Sequence, residues 1–205
     1  MGQKEKAQAR PRGRPREYDP DAALQRATEV FWKTGYAGAS LDEISAAAGM
    51  NRPSLRAAFG DKHALYLKAL GAYWDAKFAA LGKALDAAPL ETALMNAYEA
   101  ALDLYFSADE AARGCFVVGT ALTEAPEDAE IQRIVTAGFR RLDADFEARL
   151  RAARAAGELS GDADPEALAV LATATMHTLA VRARAGATRD DLLALARRAV
   201  GVICR

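Results

Sequence analysis

The chain has 205 residues, of which 51% are hydrophobic, and a formal net charge of -1, which excludes a protein that is basic throughout. Its two cysteines are too few for a disulfide framework, and no apolar run approaches the roughly 20 residues of a membrane span. Because the N-terminal residues also lack the apolar stretch of a secretory signal, we expect a cytoplasmic protein with reduced thiols and no membrane partner.

The first residues form a basic segment in front of an acidic body. Residues 1–16 hold six basic residues and one acidic residue, whereas residues 66–205 hold 16 basic and 20 acidic residues. We expect residues 1–17 to be a flexible basic arm that contacts a polyanion. Its run Arg12-Gly13-Arg14-Pro15-Arg16 is slim enough for a narrow minor groove of DNA, and the alternative is a non-specific electrostatic contact with phosphates.

Strand patterns are almost absent, so the sequence predicts an all-α protein. Helix 1 is expected to begin after Asp19, with Pro20 in its first turn, and to end at Gly35. The side chains predicted to be buried on this helix recur at helical spacing. They are Ala23, Leu24, Ala27, Val30 and Phe31.

Two short helices follow. Ser40 and Glu43 have the spacing of a capping box at the start of helix 2, whose predicted buried face includes Leu41 and Ile44. Gly49 turns the chain, and Asn51 caps helix 3, which Gly60 ends. Helix, tight turn and helix of these lengths predict a helix-turn-helix over residues 18–64.

Residues 65–205 are predicted to form a larger helical domain. Helix 4 is expected to begin after Asp61 and to run to about Asp86, and His63 should lie at its exposed start. Proline and glycine positions divide the rest of the chain. The further predicted helices cover residues 90–106, 114–122, 127–156, 165–185 and 188–203.

The polar residues at the start of helix 3 are the types that bind base edges. In a helix-turn-helix this helix lies in the major groove, and its first residues reach the bases. Arg binds guanine, Asn binds adenine, and Ser binds bases or phosphate. The candidates are Asn51, Arg52, Ser54 and Arg56, and the alternative is a solvated face of an ordinary three-helix bundle.

Phosphate contacts are expected beside this helix. Ser40 and Asn51 stand at helix N-termini, where free backbone N–H groups attract anions. Lys62 is unfavourably placed for the dipole of helix 4, and a phosphate opposite it would remove that conflict. An ordinary solvated lysine is the alternative for Lys62.

These residues carry a resemblance to the TetR family of bacterial transcriptional repressors. The matching motifs are Phe31 with Gly35-Tyr36, Gly38-Ala39-Ser40, the run Ile44 to Met50, Ser54-Leu55, and Phe59-Gly60-Asp61-Lys62. Arg56 stands where the family usually has Tyr, so its contact could be to phosphate or to a base. The resemblance implies a homodimer on a double-stranded operator. It further implies that the last two helices form the dimer interface and that a small molecule bound by the C-terminal domain releases the DNA.

Candidate residues for such an effector pocket are apolar and aromatic side chains with a few polar groups. They are Trp74, Phe78, Tyr98, Tyr105, Cys115, Phe116, Phe139, Met176 and His177, and each could instead belong to the core. Cys115 could act as a thiol sensor or be a buried structural thiol. The cysteines and histidines lack the spacing of a metal site, and no cofactor is expected.

Two other functions remain possible from the residues alone. One is an architectural DNA-binding protein without ligand control, although an acidic body of this size is unnecessary for coating DNA. The other is an enzyme, for which we find no nucleophile with a base, no phosphate loop and no metal spacing.

Overall fold

A computed structural model describes residues 19–106 and 112–205, and these residues form helices without strands. The helices in chain order are α1 (Pro20–Gly38), α2 (Leu41–Ala48), α3 (Arg52–Phe59), α4 (Lys62–Leu85), α5 (Leu90–Tyr105), a π-helical segment (Val117–Ala121), α6 (Leu122–Glu124), α7 (Ala129–Ala155), α8 (Pro165–Arg184) and α9 (Arg189–Ile203). The predicted all-α class is therefore confirmed. Within the described residues, no helix combines the length and apolarity needed to cross a membrane.

Local capping sets the first helices, as the sequence predicts. The Asp19 carboxylate accepts from the backbone N–H groups of Asp21 and Ala22, and Ser40 and Glu43 form the complete capping box of α2. Gly49 ends α2 in the left-handed conformation, with φ of 65°. Glycine has no Cβ and adopts this conformation without strain, so the chain can turn at Gly49 and start α3.

Helix α1 is longer than predicted. Gly35 has the positive φ expected of a helix-ending glycine, at 75°, but the chain resumes one more helical turn that ends at Gly38. Leu24 and Val30, expected to be buried, lie partly exposed against the core. The burial predicted for Leu41 is wrong, because its side chain is 37% exposed. It is the first residue of α2 and has no preceding helical turn to pack on, so the buried face begins at Ile44.

Helix α4 joins the helix-turn-helix to the rest of the molecule. The division expected after residue 64 falls inside this continuous helix. Tyr66 in its first half packs on Phe31 of α1, and Trp74 in its second half lies against Phe139 of α7. Helix α4 also contacts α5. Such a rigid helix can transmit a displacement at one end to the other.

The remaining helices form the larger part of the core. Helix α7 packs along α8, α8 packs on α9, and α5 contacts α4, α8 and α9. The predicted helix over residues 114–122 is instead a π-helical segment that passes directly into α6. His63, expected to be exposed, is only partly exposed, since its Nε2 lies 2.7 Å from Oδ2 of Asp128, the N-cap of α7.

Candidate functional site

Helix α3 presents its arginines to solvent while its apolar side anchors it. Leu55 and Phe59 are 2% and 6% exposed and pack into the same core as Met50. Arg52 and Arg56 are exposed on the outer side. Leu55 and Phe59, at i and i+4, therefore fix the helix on the core, and the basic side chains remain accessible to a polyanion.

One of the two arginines already has an acidic partner. Nε of Arg52 donates to Oδ1 of Asp42 at 2.6 Å, and the same guanidinium forms an ion pair with the other carboxylate oxygen. Asp42 lies in the first turn of α2, on the far side of the turn. Because the partners are ten residues apart on different helices, no helical periodicity predicts this pair. Arg56 forms no ion pair within the described residues.

Helix capping already uses some of the hydrogen-bonding groups of Asn51 and Ser40. The Asn51 Oδ1 accepts from the backbone N–H of Ser54 at 2.8 Å, which leaves its amide hydrogens free but not its oxygen. A bidentate contact with adenine needs both groups, so the cap would have to be released for it. The Ser40 hydroxyl donates to the Glu43 carboxylate at 2.7 Å and accepts from the Glu43 backbone N–H. The bond from the Ser40 hydroxyl and, after it, a 3.0 Å bond from the Ser40 backbone N–H lower the pKa of the Glu43 carboxyl.

Lys62 lies beside an aromatic ring at the start of α4. Its Nζ is 4.7 Å from the centroid of the Tyr36 ring, a cation–π distance. That ring in turn packs 4.9 Å from the ring of Tyr66 and 6.3 Å from that of Phe31. The ammonium is therefore held near the helix-turn-helix by packing. Arg12, Arg14 and Arg16 of the predicted arm lie outside the described residues.

An aromatic cluster joins the helix-turn-helix to the C-terminal helices. The ring of Phe116 lies 5.4 Å from Trp32 of α1, and 5.6 Å and 5.8 Å from Tyr73 and Tyr66 of α4. Thr120 donates its hydroxyl hydrogen to the Phe116 carbonyl, so the Tyr66 hydroxyl must donate in its 2.8 Å bond to Thr120. Burial raises the pKa of Tyr66 to about 12, which keeps that donor protonated.

A charged contact reinforces the same junction. The Arg113 guanidinium pairs with Glu29 of α1 and lies 4.2 Å from the centroid of the Trp32 ring. Its burial lowers the pKa of Arg113. The segment in front of the π-helical turn is thereby held directly to the helix that supports α2 and α3.

Four of the nine predicted effector residues contact one another in the core. Trp74, Phe78, Phe139 and His177 form a chain of ring contacts between α4, α7 and α8, with centroids 4.8–5.9 Å apart. Tyr98 is a core residue whose hydroxyl donates to the Ala172 carbonyl at 3.1 Å.

Tyr105, Cys115 and Phe116 form a second group around α4. Tyr105 and Phe116 are fully buried, and Cys115 is 3% exposed. The Tyr73 hydroxyl donates to the Cys115 sulfur at 3.1 Å. This burial favours the structural thiol over the sensor for Cys115, since an exposed thiolate is what reacts readily.

A narrow cleft with interior space of about 10 Å³, room for about one water molecule, lies between α4, α5 and α8. Its lining includes Lys77 and Leu81 of α4, Ala97, Ala101 and Leu104 of α5, and Met176 of α8. We call it the α4–α5 cleft. Only Met176 among the predicted effector residues lines it. Lys77 was not predicted as a lining residue, although its position three residues after Trp74 and four before Leu81 places it on the buried stripe of α4.

Comparisons with known proteins identify the family. Residues 23–69 match the family model described as bacterial regulatory proteins, tetR family, and residues 89–200 match that of the tetracyclin repressor-like C-terminal domain. Together these matches cover more than half of the chain. The chain therefore belongs to the TetR family and is a DNA-binding transcriptional regulator, not an enzyme.

Individual relatives agree with this assignment. The chain is 30% identical to the HTH-type transcriptional repressor ComR of Escherichia coli, over 90% of this chain and 89% of ComR. It is 31% identical to the regulator YezE of Bacillus subtilis, over 88% and 93% of the two chains. Among solved structures, a cysteine-substituted TetR family regulator CifR in complex with a 26-base-pair operator duplex is 36% identical, with a TM-score of 0.82 over 92% of this chain and 98% of CifR.

Proposed function

We propose that this chain is a homodimeric repressor that binds a two-fold symmetric operator and leaves it when a small molecule occupies the C-terminal domain. The observation that carries the proposal is the pair of exposed arginines on α3, held outward by the buried Leu55 and Phe59. Operator binding by CifR and the repressor function of ComR support it by likeness. In a dimer, the two α3 helices would enter major grooves about 34–36 Å apart, or a multiple of that distance.

An exposed apolar face supports the dimer. Val170 and Val181 of α8 are 56% and 54% exposed, and they are separated by 11 residues, which is close to three helical turns. Leu171 beside them and Val202 of α9 are also about half exposed or more. Large apolar side chains clustered on one face mark an interaction surface. Several other apolar residues of α8 and α9 are buried within the chain, namely Ala172, Met176, Leu179, Leu192, Ala196, Val200 and Ile203.

The contacts at the junction support control by a ligand. The buried sulfur of Cys115 lies 4.0 Å from Nζ of Lys77, which lines the α4–α5 cleft, and the next residue, Phe116, packs on Trp32 of α1. A molecule entering the cleft would disturb Lys77 and its neighbours. Because this core is close-packed, the disturbance would pass through Phe116 to the helix that supports α2 and α3.

The test begins with DNA fragments recovered by the purified full chain and footprinted at fixed salt. A discrete protected site with two-fold symmetry is expected. Broad protection without a preferred site would instead show the architectural alternative. The oligomeric state is measured by sedimentation. Val181→Asp should be monomeric and lose the footprint. Ala152→Asp, on the exposed side of α7, is the control. A wild-type chain that is monomeric at working concentration would refute the dimer.

A further inference from the structure

Residues 113–119, which we call the bridging segment, lie directly against the last turns of α8. A Cβ built at Gly114 would lie 2.6 Å from the carbonyl oxygen of Ala180 and 3.1 Å from the Cβ of Arg184. The Arg184 guanidinium donates from Nη1 to the Arg113 carbonyl oxygen at 3.2 Å. Only glycine permits so close an approach, so backbone contact and a hydrogen bond together fix the position of the segment along α8.

The same arginine also contacts the far end of the bridging segment. A Cβ built at Gly119 would lie 2.5 Å from Nη1 of Arg184 and 3.1 Å from its Cζ. The guanidinium therefore extends from the Arg113 carbonyl to the backbone of Gly119. Both ends of the segment thus depend on where α8 places this one side chain.

The other side of the bridging segment contacts α1. The Arg113 guanidinium pairs with Glu29 and lies 4.2 Å from the centroid of the Trp32 ring, and the Phe116 ring packs 5.4 Å from the same indole. The Arg113 side chain is only 14% exposed, so salt screens this pair less than it screens a pair on the open surface. Glu29 and Trp32 are three residues apart and share one face of α1, which the segment therefore holds at two points.

The bridging segment thereby connects the proposed dimer surface to the helix-turn-helix. Ala180, against which Gly114 lies, precedes Val181 of the exposed apolar face of α8. On the other side, α1 packs on α2, which the turn at Gly49 joins to α3. In a symmetric dimer, the two α8 helices would be held against each other at the two-fold axis. Whatever fixes α1 relative to α8 then also fixes the distance between the two α3 helices.

We propose that Arg113 and Arg184 are positioning residues that set the spacing between the operator half-sites, by holding α1 to α8 through the bridging segment. This inference rests on the proposed binding of a two-fold symmetric operator. Base contacts from α3 select the half-site sequence, whereas the scaffold selects the distance between half-sites. Each added base pair moves the second half-site by about 3.4 Å and turns it by about 35° around the duplex. A rigid connection from α8 to α1 cannot follow such a change without strain.

The experiment measures the spacing preference of the full chain. One set of duplexes carries two copies of the recovered half-site, at the natural separation and with one or two base pairs added or removed. A further duplex carries a single half-site. Fluorescence anisotropy at fixed salt gives the dissociation constant for each duplex. Wild type should prefer the natural separation to its one-base-pair neighbours by at least about tenfold, because either the DNA or the protein must deform to accommodate the change.

Arg113→Met removes the ion pair and retains an unbranched apolar side chain. It should lower the spacing preference at least about threefold and leave single half-site binding within about twofold, since only the preorganisation of the two α3 helices is lost. Arg184→Met should act in the same direction. Arg113→Lys should retain part of the preference, because lysine keeps the charge but not the planar group beside Trp32. Arg151→Met, which removes an exposed pair with Glu147 on α7, is the control and should leave the preference unchanged.

Two outcomes would overturn this inference alone. One is a spacing preference that survives in both Arg113→Met and Arg184→Met. The other is an equal loss of affinity for every duplex, the single half-site included, because a smaller folded fraction has that effect. If Arg113→Met fails to fold, Glu29→Gln serves instead, since the Glu29 side chain is 45% exposed, and it should lower the spacing preference in the same way. A wild-type chain without any preferred spacing would contradict the proposed operator as well as the inference.

Discussion

Arg52 at the start of α3 is tied to Asp42 at the start of α2 by a 2.6 Å hydrogen bond across the turn. Both side chains are largely exposed, at 57% and 76%. An exposed ion pair of this kind contributes only about 0–1 kcal/mol. A DNA phosphate or guanine can therefore draw Arg52 away at small cost, and Asp42 acts as an internal competitor for the guanidinium.

This competition predicts that Asp42→Asn strengthens DNA binding. The expected gain is a few-fold at low salt, because the change frees Arg52 and removes a negative charge that faces the duplex. The measurement is fluorescence anisotropy on specific and random duplexes of equal length. A double-mutant cycle with Arg52→Ala separates the two causes. In the Arg52→Ala background, Asp42→Asn still removes a negative charge but has no arginine to free. Strictly additive effects would show that the ion pair does not limit binding.

Arg56 should contribute more to operator selection than Arg52 does, because no described carboxylate holds it in place. If Arg56 binds a base edge, Arg56→Ala should weaken the specific site by about 1–3 kcal/mol and random DNA much less. If it binds phosphate, both duplexes should weaken alike and the salt slope should fall by about one. The same duplexes with Arg52→Ala provide the comparison. A larger specific loss for Arg52→Ala than for Arg56→Ala would contradict this ranking.

Sequence patterns predict the helix caps of this chain better than they predict the contacts between its helices. The caps at Asp19, Ser40, Asn51 and Asp61 are confirmed because each bond joins residues two or three positions apart. The Asp42–Arg52 pair escaped prediction because it depends on how two helices meet.

The candidate effector site shows the same limit of sequence reasoning. Periodicity places Trp74, Tyr98 and Met176 on buried faces, but packing decides which of them reach a cavity. Tyr98 bonds to the Ala172 carbonyl, whereas Met176 lines the α4–α5 cleft. Lys77 was not predicted to be buried, since lysine side chains in proteins are mostly exposed. Its burial becomes visible only when its neighbours are known.

Gly138 on α7 should tolerate no side chain. A Cβ built there would lie 2.2 Å from Trp74 Cζ2 and 2.3 Å from its Cε2. The Trp74 ring stacks 5.1 Å from Phe78 and lies 5.9 Å from Phe139, so it has little room to withdraw. Gly138→Ala should therefore lower the free energy of unfolding by about 1–3 kcal/mol, as overpacking does.

A second glycine offers the matched control. Gly82 lies in helix α4, and a Cβ there meets nothing within 4 Å. Gly82→Ala should raise the free energy of unfolding by about 0.4–1 kcal/mol, because alanine loses less backbone freedom on folding. Urea unfolding followed by circular dichroism measures both variants. A Gly138→Ala chain as stable as Gly82→Ala would show that Trp74 can move aside.

His177 should make the stability of the fold depend on pH. Burial and, secondarily, the charge of Lys77 lower its pKa from 6.5, while Asp143 opposes them weakly. Below pH 6.5 the unfolded chain therefore takes up the proton more readily than the folded chain, so the free energy of unfolding falls as the pH drops from 6.5 toward the folded-state pKa. Urea unfolding at pH 7.5 and pH 5.5 measures the loss, and His177→Gln should lose less than wild type.

The second histidine and Lys77 supply the controls for this prediction. His63→Gln keeps His177 and should retain the part of the pH dependence that His177→Gln removes. Removing the nearby charge by Lys77→Met should raise the His177 pKa, which nuclear magnetic resonance titration of the imidazole signals reports directly. Equal pH dependence in wild type and His177→Gln would show that folding leaves the His177 pKa unchanged. A His177 pKa that Lys77→Met leaves unchanged would show that the lysine charge does not act on this ring.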